Sequence, residues 1–325
     1  MRRTLVGLLL FSLACSADAE DAAAPDARAT PEPPSTHADA NTNDTDTNVP
    51  DASAPLEEGG ADPTDASAAA DVTAENPSVR FLTYNVGGLA DFLSAGKPSV
   101  TTPQISPKLN PFDLVVVQED FSYHDKLVAQ ISHEYVHVPG KASLPKVYGD
   151  GLALFSRLRI LEANREEWGE CHGLTGNKND CLAKKGFVHL RIEIAPDVLL
   201  DVYDLHMDAG RDAGDVSARD QQTTQLASYI AAHSVDRPIV LAGDTNMKEG
   251  DEASLARLIE LTGLRDVCRE LACPQPYLHD RVLLRDANDL HLWASDWHID
   301  ESFVDAQGQP LSDHGAVAID LHWRR

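Results

Sequence analysis

From about residue 78 onward, the sequence predicts an α/β domain of the α+β type, strand-rich and with only a few helices. Short apolar or alternating runs recur along this stretch, as strands do, while few segments carry helical periodicity. Five strand boundaries also carry a polar residue able to serve a phosphate or a metal: Asn85, Glu119, His206, Asp244 with Asn246, and Asp313 with His314. Any one of these ends is ordinarily a turn or a solvated residue. Several strands delivering polar ends to one rim is how sheet folds build sites.

Taken from its start, the chain opens with Arg2 and Arg3, and then a short apolar run, Leu5 to Ala14, ending at Cys15. Residues 1–15 read as an export signal, since the run is too short to span a bilayer. Ser12-Leu13-Ala14-Cys15 is similar to a bacterial lipobox, apart from Ser12, where Leu is usual. Cys15 is therefore the expected site of acylation, tethering the protein to an outer-membrane surface. Ordinary cleavage nearby, which would release a secreted protein, is the alternative. Residues 16–77 are mostly Ala, Asp, Pro, Thr and Ser, with fifteen Asp and Glu against one Arg, and are expected to be a disordered linker. Fourteen of the chain's 25 net negative charges lie there.

The folded part is expected to span residues 78–325. Ser78 to Val86 reads as a strand delivering Asn85, and Asp113 to Glu119 as a second, closing on Gln118 and Glu119. A helix is expected from Tyr123 to His133, then strands at Glu134 to Val138 and Leu152 to Ser156. Gly186 to Ile194 and Val198 to His206 read as paired strands, and Ala218 to His233 as a helix. Pro238 to Leu241 is an apolar strand running into Gly243-Asp244-Thr245-Asn246. Residues i and i+2 of an extended chain share a side, so Asp244 and Asn246 can face one bound group. Asp251 to Leu261 reads as a helix with acidic residues at its start. Arg281 to Leu284 and Ala316 to Trp323 complete the strands. Export implies an oxidising compartment, and Cys171–Cys181 with Cys268–Cys273 is the simplest of three possible disulfide connectivities.

The motifs T-Y-N-V (Thr83–Val86), V-V-Q-E (Val116–Glu119), G-L-A-L-F-S-R (Gly151–Arg157), D-L-H (Asp204–His206), G-D-T-N (Gly243–Asn246) and S-D-H (Ser312–His314) follow one another in a telling order. The chain from Ser78 to Arg325 resembles the endonuclease/exonuclease/phosphatase superfamily, with its deoxyribonuclease-like fold. That resemblance implies a four-layer αββα sandwich, two packed and mostly antiparallel sheets flanked by helices. It also implies phosphoester hydrolysis with Mg²⁺, for which Mn²⁺, Co²⁺ or Ca²⁺ could substitute. Asp180 to Phe187 (D-C-L-A-K-K-G-F) and the segment from Trp297 to His314 resemble bacterial sphingomyelinase-type phospholipases C. Membrane-active members of that branch carry an exposed aromatic hairpin, for which Trp293 and Trp297 are the candidates, against a core placement.

The resemblance implies a role for each site residue. Glu119 is the principal metal ligand, a hard oxygen donor, with Asn85 beside it and Asp313 as a ligand or hydrogen-bond partner nearby. Asp244 and Asn246 hold the nucleophilic water and a phosphoryl oxygen. His314 is the general base, and Asp280 the carboxylate that fixes its tautomer. His206 stabilises phosphoryl charge or protonates the leaving group, and Asp150 orients His206. Lys185 either contacts phosphate or serves its loop.

A domain this acidic is a poor general binder of polyanions. No basic cluster stands out beyond Arg211, Arg219 and Lys184-Lys185, so a phospholipid head group is favoured over nucleic acid. Alternatives are an extracellular nuclease, a phosphomonoesterase on inositol or sugar phosphates, and a non-catalytic binding protein. A monomer is expected, meeting a membrane surface through Cys15.

Overall fold

The computed structural model describes residues 76–174, 180–276, 278–287 and 290–325. The export signal, Cys15 and residues 16–75 of the expected linker lie outside the described residues.

Two six-stranded sheets form the domain. The first runs β11 (His291–Ile299), β12 (Val317–Arg324), β1 (Ser78–Asn85), β2 (Leu114–Gln118), β4 (Ala153–Ser156), β3 (Tyr135–His137). The second runs β5 (Arg159–Glu167), β6 (Gly186–Ala195), β7 (Val198–His206), β8 (Ile239–Asp244), β10 (Asp280–Arg285), β9 (Arg265–Asp266). Among the named strands of the described residues, β1–β2 and β7–β8 pair in parallel and the other pairs are antiparallel. Parallel neighbours need a crossover, and α1 (Pro98–Lys108) and α3 (Ala213–His233) lie within those two connections.

Strand alternation sorts the side chains into layers. Phe81, Leu114, Val116, Val202, Val240, Ala242, Val282 and Leu284 face the space between the sheets. Leu82, Tyr84, Val115 and Val117 face the other way and pack with Ile105 of α1, with Leu109 just after it and with Leu127 of α2 (His124–Val128). Tyr203, Leu205, Leu241 and Leu283 pack likewise with Leu226 and Ile230 of α3 and with Leu255 and Leu258 of α4 (Glu252–Thr262). This is the αββα sandwich that the resemblance implied.

Some elements depart from the sequence reading. The helix expected from Tyr123 to His133 stops at Val128. Beyond it, Gln130 N donates to Ser106 Oγ and Ser132 N to Asn110 Oδ1, so neighbouring loops capture the amides that a helix would use. Helix α1 was not anticipated, because Pro98, Pro103 and Pro107 disguise it. A proline inside a helix leaves the carbonyl four residues earlier without its donor. Here Lys126 Nζ donates to Ser99 O (2.7 Å), and Gln130 Nε2 to Pro103 O (3.4 Å), so the region of α2 repairs both gaps. Strands β5 and β11 were also missed. β5 is a charged, largely exposed edge strand, a composition that discourages further pairing. Both anticipated disulfides, Cys171–Cys181 and Cys268–Cys273, are present.

Candidate active site

The inward alternation of the central strands continues into polar residues at one end of the core. On β1 it runs Phe81, Thr83, Asn85; on β2, Leu114, Val116, Gln118; on β7, Val202, Asp204, His206; on β8, Val240, Ala242, Asp244. β10 runs the opposite way and begins with Asp280 before Val282 and Leu284. Register makes the result compact: Asp244 pairs with His206 on one side and with Asp280 on the other, while Asn85 pairs with Gln118. Every one of these side chains is buried.

Two backbone features turn the strand ends inward. Glu119, just past β2, adopts φ 58°, and Asn246 adopts φ 51°, a left-handed conformation uncommon outside glycine. Such backbone persists where its surroundings over-determine it, and it clusters at functional sites. Gly243 has φ 132°, and a Cβ there would stand 2.1 Å from Leu205 O, so only glycine lets β8 follow β7 to Asp244.

Asn85 bridges the sheets. Its Nδ2 donates to Glu119 Oε1 (3.1 Å) and to Asp244 Oδ2 (3.1 Å), gathering two carboxylates around one amide. His206 Nε2 stands 3.3 Å from Asp244 Oδ2 and 3.9 Å from Glu119 Oε1. Burial pushes the Glu119 carboxyl up to about 7, only partly opposed by His314 and Lys185. Burial also opposes charge on Asp244, but the facing His206, His314 and His279 overcome it and hold the group below its ordinary range. His206 is pushed well below the usual imidazole value by burial and then by Lys185.

His314 Nδ1 lies 2.9 Å from Asp280 Oδ2 and 3.1 Å from Oδ1, and its Nε2 stands 3.9 Å from Asp244 Oδ2. Burial disfavours the imidazolium, yet Asp280, by charge and hydrogen bond, raises His314 to about 10. A carboxylate on Nδ1 fixes the tautomer and leaves Nε2 facing the site. The arrangement matches the base-and-orienter pair expected from the sequence.

The donor set suits a hard divalent cation. Oxygen donors from Glu119 and Asp244 converge, and Glu119 is a buried carboxylate whose own bonding partner is a neutral amide, the setting in which a cation is most stabilising. A second group, Asp244, His279, Asp280 and His314, places one ligand atom each within 4.8 Å of one another. It overlaps the histidine–aspartate pair.

Other expected residues fall elsewhere. Asp313 is exposed at the rim, accepting from Ser312 Oγ (3.3 Å), and reaches Glu119 through its charge. The Asn246 side-chain amide donates to Met207 O (3.1 Å), which leaves its carbonyl oxygen as the group it can offer. Asp150 does not orient His206. Its carboxylate is taken up by Arg165, by Gly140 N (2.7 Å) and by Leu152 N (3.0 Å), and the buried His206 Nδ1 has no hydrogen-bond partner. Lys185 is buried and paired with Asp180, with a further bond to Met207 O (3.2 Å), so it braces the loop after Cys181. Trp297 packs on the inter-sheet core with its Nε1 buried, and Trp293 stacks between His291 and His322. Both are packing residues of β11, and neither is an exposed aromatic.

Sequence reasoning missed His279, whose ring lies edge-on to His314 at 4.7 Å. The signal was its place beside Asp280, but neighbours along a strand point apart. The bend before β10 brings both to one site, with Thr245 N and Oγ1 donating to His279 O (2.9 and 2.8 Å). Also missed was the polar layer beneath: Gln118 Nε2 donates to Thr83 Oγ1 (3.2 Å) and to Asp204 Oδ1 (2.7 Å). Burial raises Asp204 well above its ordinary carboxylate value, so this floor of the site resists carrying charge.

Two sheets opening their polar strand ends onto a carboxylate cluster and a histidine–aspartate pair define a candidate hydrolase for phosphate esters. Residues 82–314 match the Endonuclease/Exonuclease/phosphatase family, and the chain belongs to that family. It is 27% identical over 264 residues to a sphingomyelinase of Mycobacterium bovis, an alignment covering 74% of this chain and 52% of that protein. The chain thus spans about half the length of the curated relatives it matches. Among solved structures, a magnesium-bound variant of beta toxin from Staphylococcus aureus aligns with TM-score 0.57 at 16% identity, over 76% of this chain and 99% of that one. D. rerio TDP2 with a single-stranded DNA product aligns with TM-score 0.59 at 16% identity, over 75% and 99%. These structural likenesses show the fold.

Proposed function

We propose that the protein is an exported, Mg²⁺-dependent phosphodiesterase that cleaves a phospholipid head-group ester, a phospholipase C of the sphingomyelinase type. The observation that carries this reading is the convergence of Asn85, Glu119 and His314 from one sheet with His206, Asp244 and Asp280 from the other. The 27% identity to a sphingomyelinase supports the substrate class, and the magnesium in the beta toxin structure supports the ion. Arg2, Arg3, the apolar run to Cys15 and two disulfides support placement outside the cytoplasm, anchored or secreted.

Glu119 and Asp244, positioned by Asn85, would hold the divalent ion. When bound, the ion supplies positive charge to the phosphoryl oxygens and acidifies a water. Asp280 keeps the His314 Nδ1–H oriented. His314 would act as base once a cation held by Glu119 and Asp244 offsets the carboxylate charge that retains its second proton, leaving Nε2 free to accept a proton from the attacking water. The neutral His206 donates its Nε2–H toward developing oxyanion charge, in a site whose burial strengthens that bond. Asn246 offers its carbonyl oxygen to the water's other hydrogen.

The full chain would be assayed on sphingomyelin vesicles and on plasmid DNA, with Mg²⁺, with chelator and as His314→Ala. Metal-dependent release of phosphocholine, lost in the variant, is the expected result. Nicked DNA with intact lipid would replace the substrate and keep the site. Failure to bind metal would sink the enzymatic reading.

A further inference from the structure

Beside the catalytic cluster lies a cavity of about 530 Å³, whose wall includes Arg211, Lys248, Glu249, Pro276, Leu278 and His279. Its inner wall is His279, which touches the His314 ring and stands 3.7 Å from Asp280. Neither the Arg211 nor the Lys248 side chain has an ion-pair or hydrogen-bond partner among the described residues. Two unpartnered cations against one carboxylate give this wall a positive balance in an otherwise acidic protein.

The placement of these cations is built rather than incidental. Arg219, fully buried, donates to Asp208 O (3.0 Å) and Gly210 O (2.8 Å), which fixes the backbone just before Arg211. Its other nitrogen pairs with Asp251 (3.3 Å), whose carboxylate accepts from Lys248 N (3.1 Å). One buried guanidinium thus sets both loops that carry the cations. On the facing wall, Arg281 donates to Pro276 O (3.4 Å) and Met247 O (3.3 Å).

We propose that this cavity is an anion subsite: Arg211 and Lys248 receive a second phosphate carried by the substrate next to the scissile phosphodiester, with His279 between the two. The inference rests on the phosphodiesterase reading and ranks its substrates: a phosphocholine ester remains a substrate, but a poorer one than an ester that carries a second phosphate. A phosphorylated head group or neighbouring phosphate suits the wall, whereas a choline cation meets like charge there. Arginine and lysine together offer the fork and the point charge by which phosphates are held.

The test compares thymidine 5′-(4-nitrophenyl phosphate) with its 3′-phosphorylated counterpart, using the full chain and Mg²⁺. The ratio of their kcat/KM values is expected to favour the second phosphate and to fall about tenfold in Arg211→Ala/Lys248→Ala. Arg211→Lys/Lys248→Arg should restore it, and 4-nitrophenyl phosphorylcholine should be cleaved better by the alanine variant than by the parent. Calorimetry with thymidine 3′,5′-bisphosphate in chelator provides an independent readout, because the metal-free catalytic cluster is carboxylate-rich and repels anions. Binding by the parent, lost in the alanine variant, supports the subsite even if neither ester is turned over, in which case the phosphodiesterase reading alone fails. An unchanged ratio in a folded alanine variant, or equal bisphosphate binding by parent and variant, overturns the subsite.

Discussion

The two sheets bring different chemistry to the same rim. The first contributes Asn85 and Glu119, a carboxamide and a carboxyl raised to about 7 by burial. The second contributes His206, Asp244 and Asp280, and Asp280 reaches across to His314, which stands on the first sheet's loop before β12 with its imidazole raised to about 10. Glu119 and Asp244 want a cation and the His314–Asp280 pair handles protons, and each of these two groups takes one member from each sheet. Asn85, bonded to both Glu119 and Asp244, joins the halves. The lesson is that a packed pair of sheets can push a carboxyl toward its neutral form and an imidazole toward its charged form within one site, because burial dominates at Glu119 while the Asp280 carboxylate faces His314 from the opposite sheet.

The sharpest way to break this comparison is to remove the proton-handling half alone. His314→Ala is expected to lower kcat by about 10²–10⁴-fold while leaving metal binding in place. Asp280→Asn should fall within the same range, because it removes the charge that orients His314. Metal titration by calorimetry checks that the other half survives. If metal affinity collapses along with kcat, the two clusters are one unit. Glu119→Gln is the complementary change, expected to weaken Mg²⁺ affinity by at least about tenfold, with activity partly recovered at high Mg²⁺.

The pH dependence of stability separates the halves more gently. Glu119 has a folded pKa raised to about 7 from 4.5, so its contribution is fully present below 4.5 and lost as pH rises to 7. In chelator, the Tm difference between parent and Glu119→Gln should therefore shift against the parent by a few degrees over that window and stay flat above it. His314 is also raised, but from 6.5 to about 10, so its contribution is lost only across that higher window. A difference curve that moves only above pH 7 would show that the assignment of the lower window to Glu119 is wrong.

Most of the site was legible because strand alternation is a strict code. Asn85, Glu119, His206 and Asp244 end runs whose apolar members are plain in the sequence, and the ordered motifs supplied Asp280 and His314. Helix α1 was not legible, since its prolines are tolerated only because Lys126 and Gln130, from a distant part of the chain, serve the carbonyls they leave. His279 was hidden by the same alternation that revealed its neighbours, because a bend suspends the rule. In the sequence Lys185 fits either a phosphate contact or a loop residue and Arg219 is only one of a few scattered basic residues, but burial against Asp180 and Asp251 makes them braces.

Asp150 gives the smallest expected effect on catalysis. From the sequence it was the acid expected to orient His206, yet the structure commits it to Arg165 and to two loop amides. Its pair is only partly buried, with side chains 11% and 25% exposed. Asp150→Asn should therefore cost about 1–3 kcal/mol of stability, read by urea denaturation, through loss of the ion pair that ties β5 to the loop before β4. Its kcat should change less than about threefold at temperatures where the variant is folded, because His206 is kept neutral by burial and faces Asp244 through Nε2 without help from Asp150. A loss near 10²-fold with stability unchanged would mean that Asp150 reaches His206 in the working enzyme, and the proton-handling group would then include His206 and Asp150 beside His314 and Asp280.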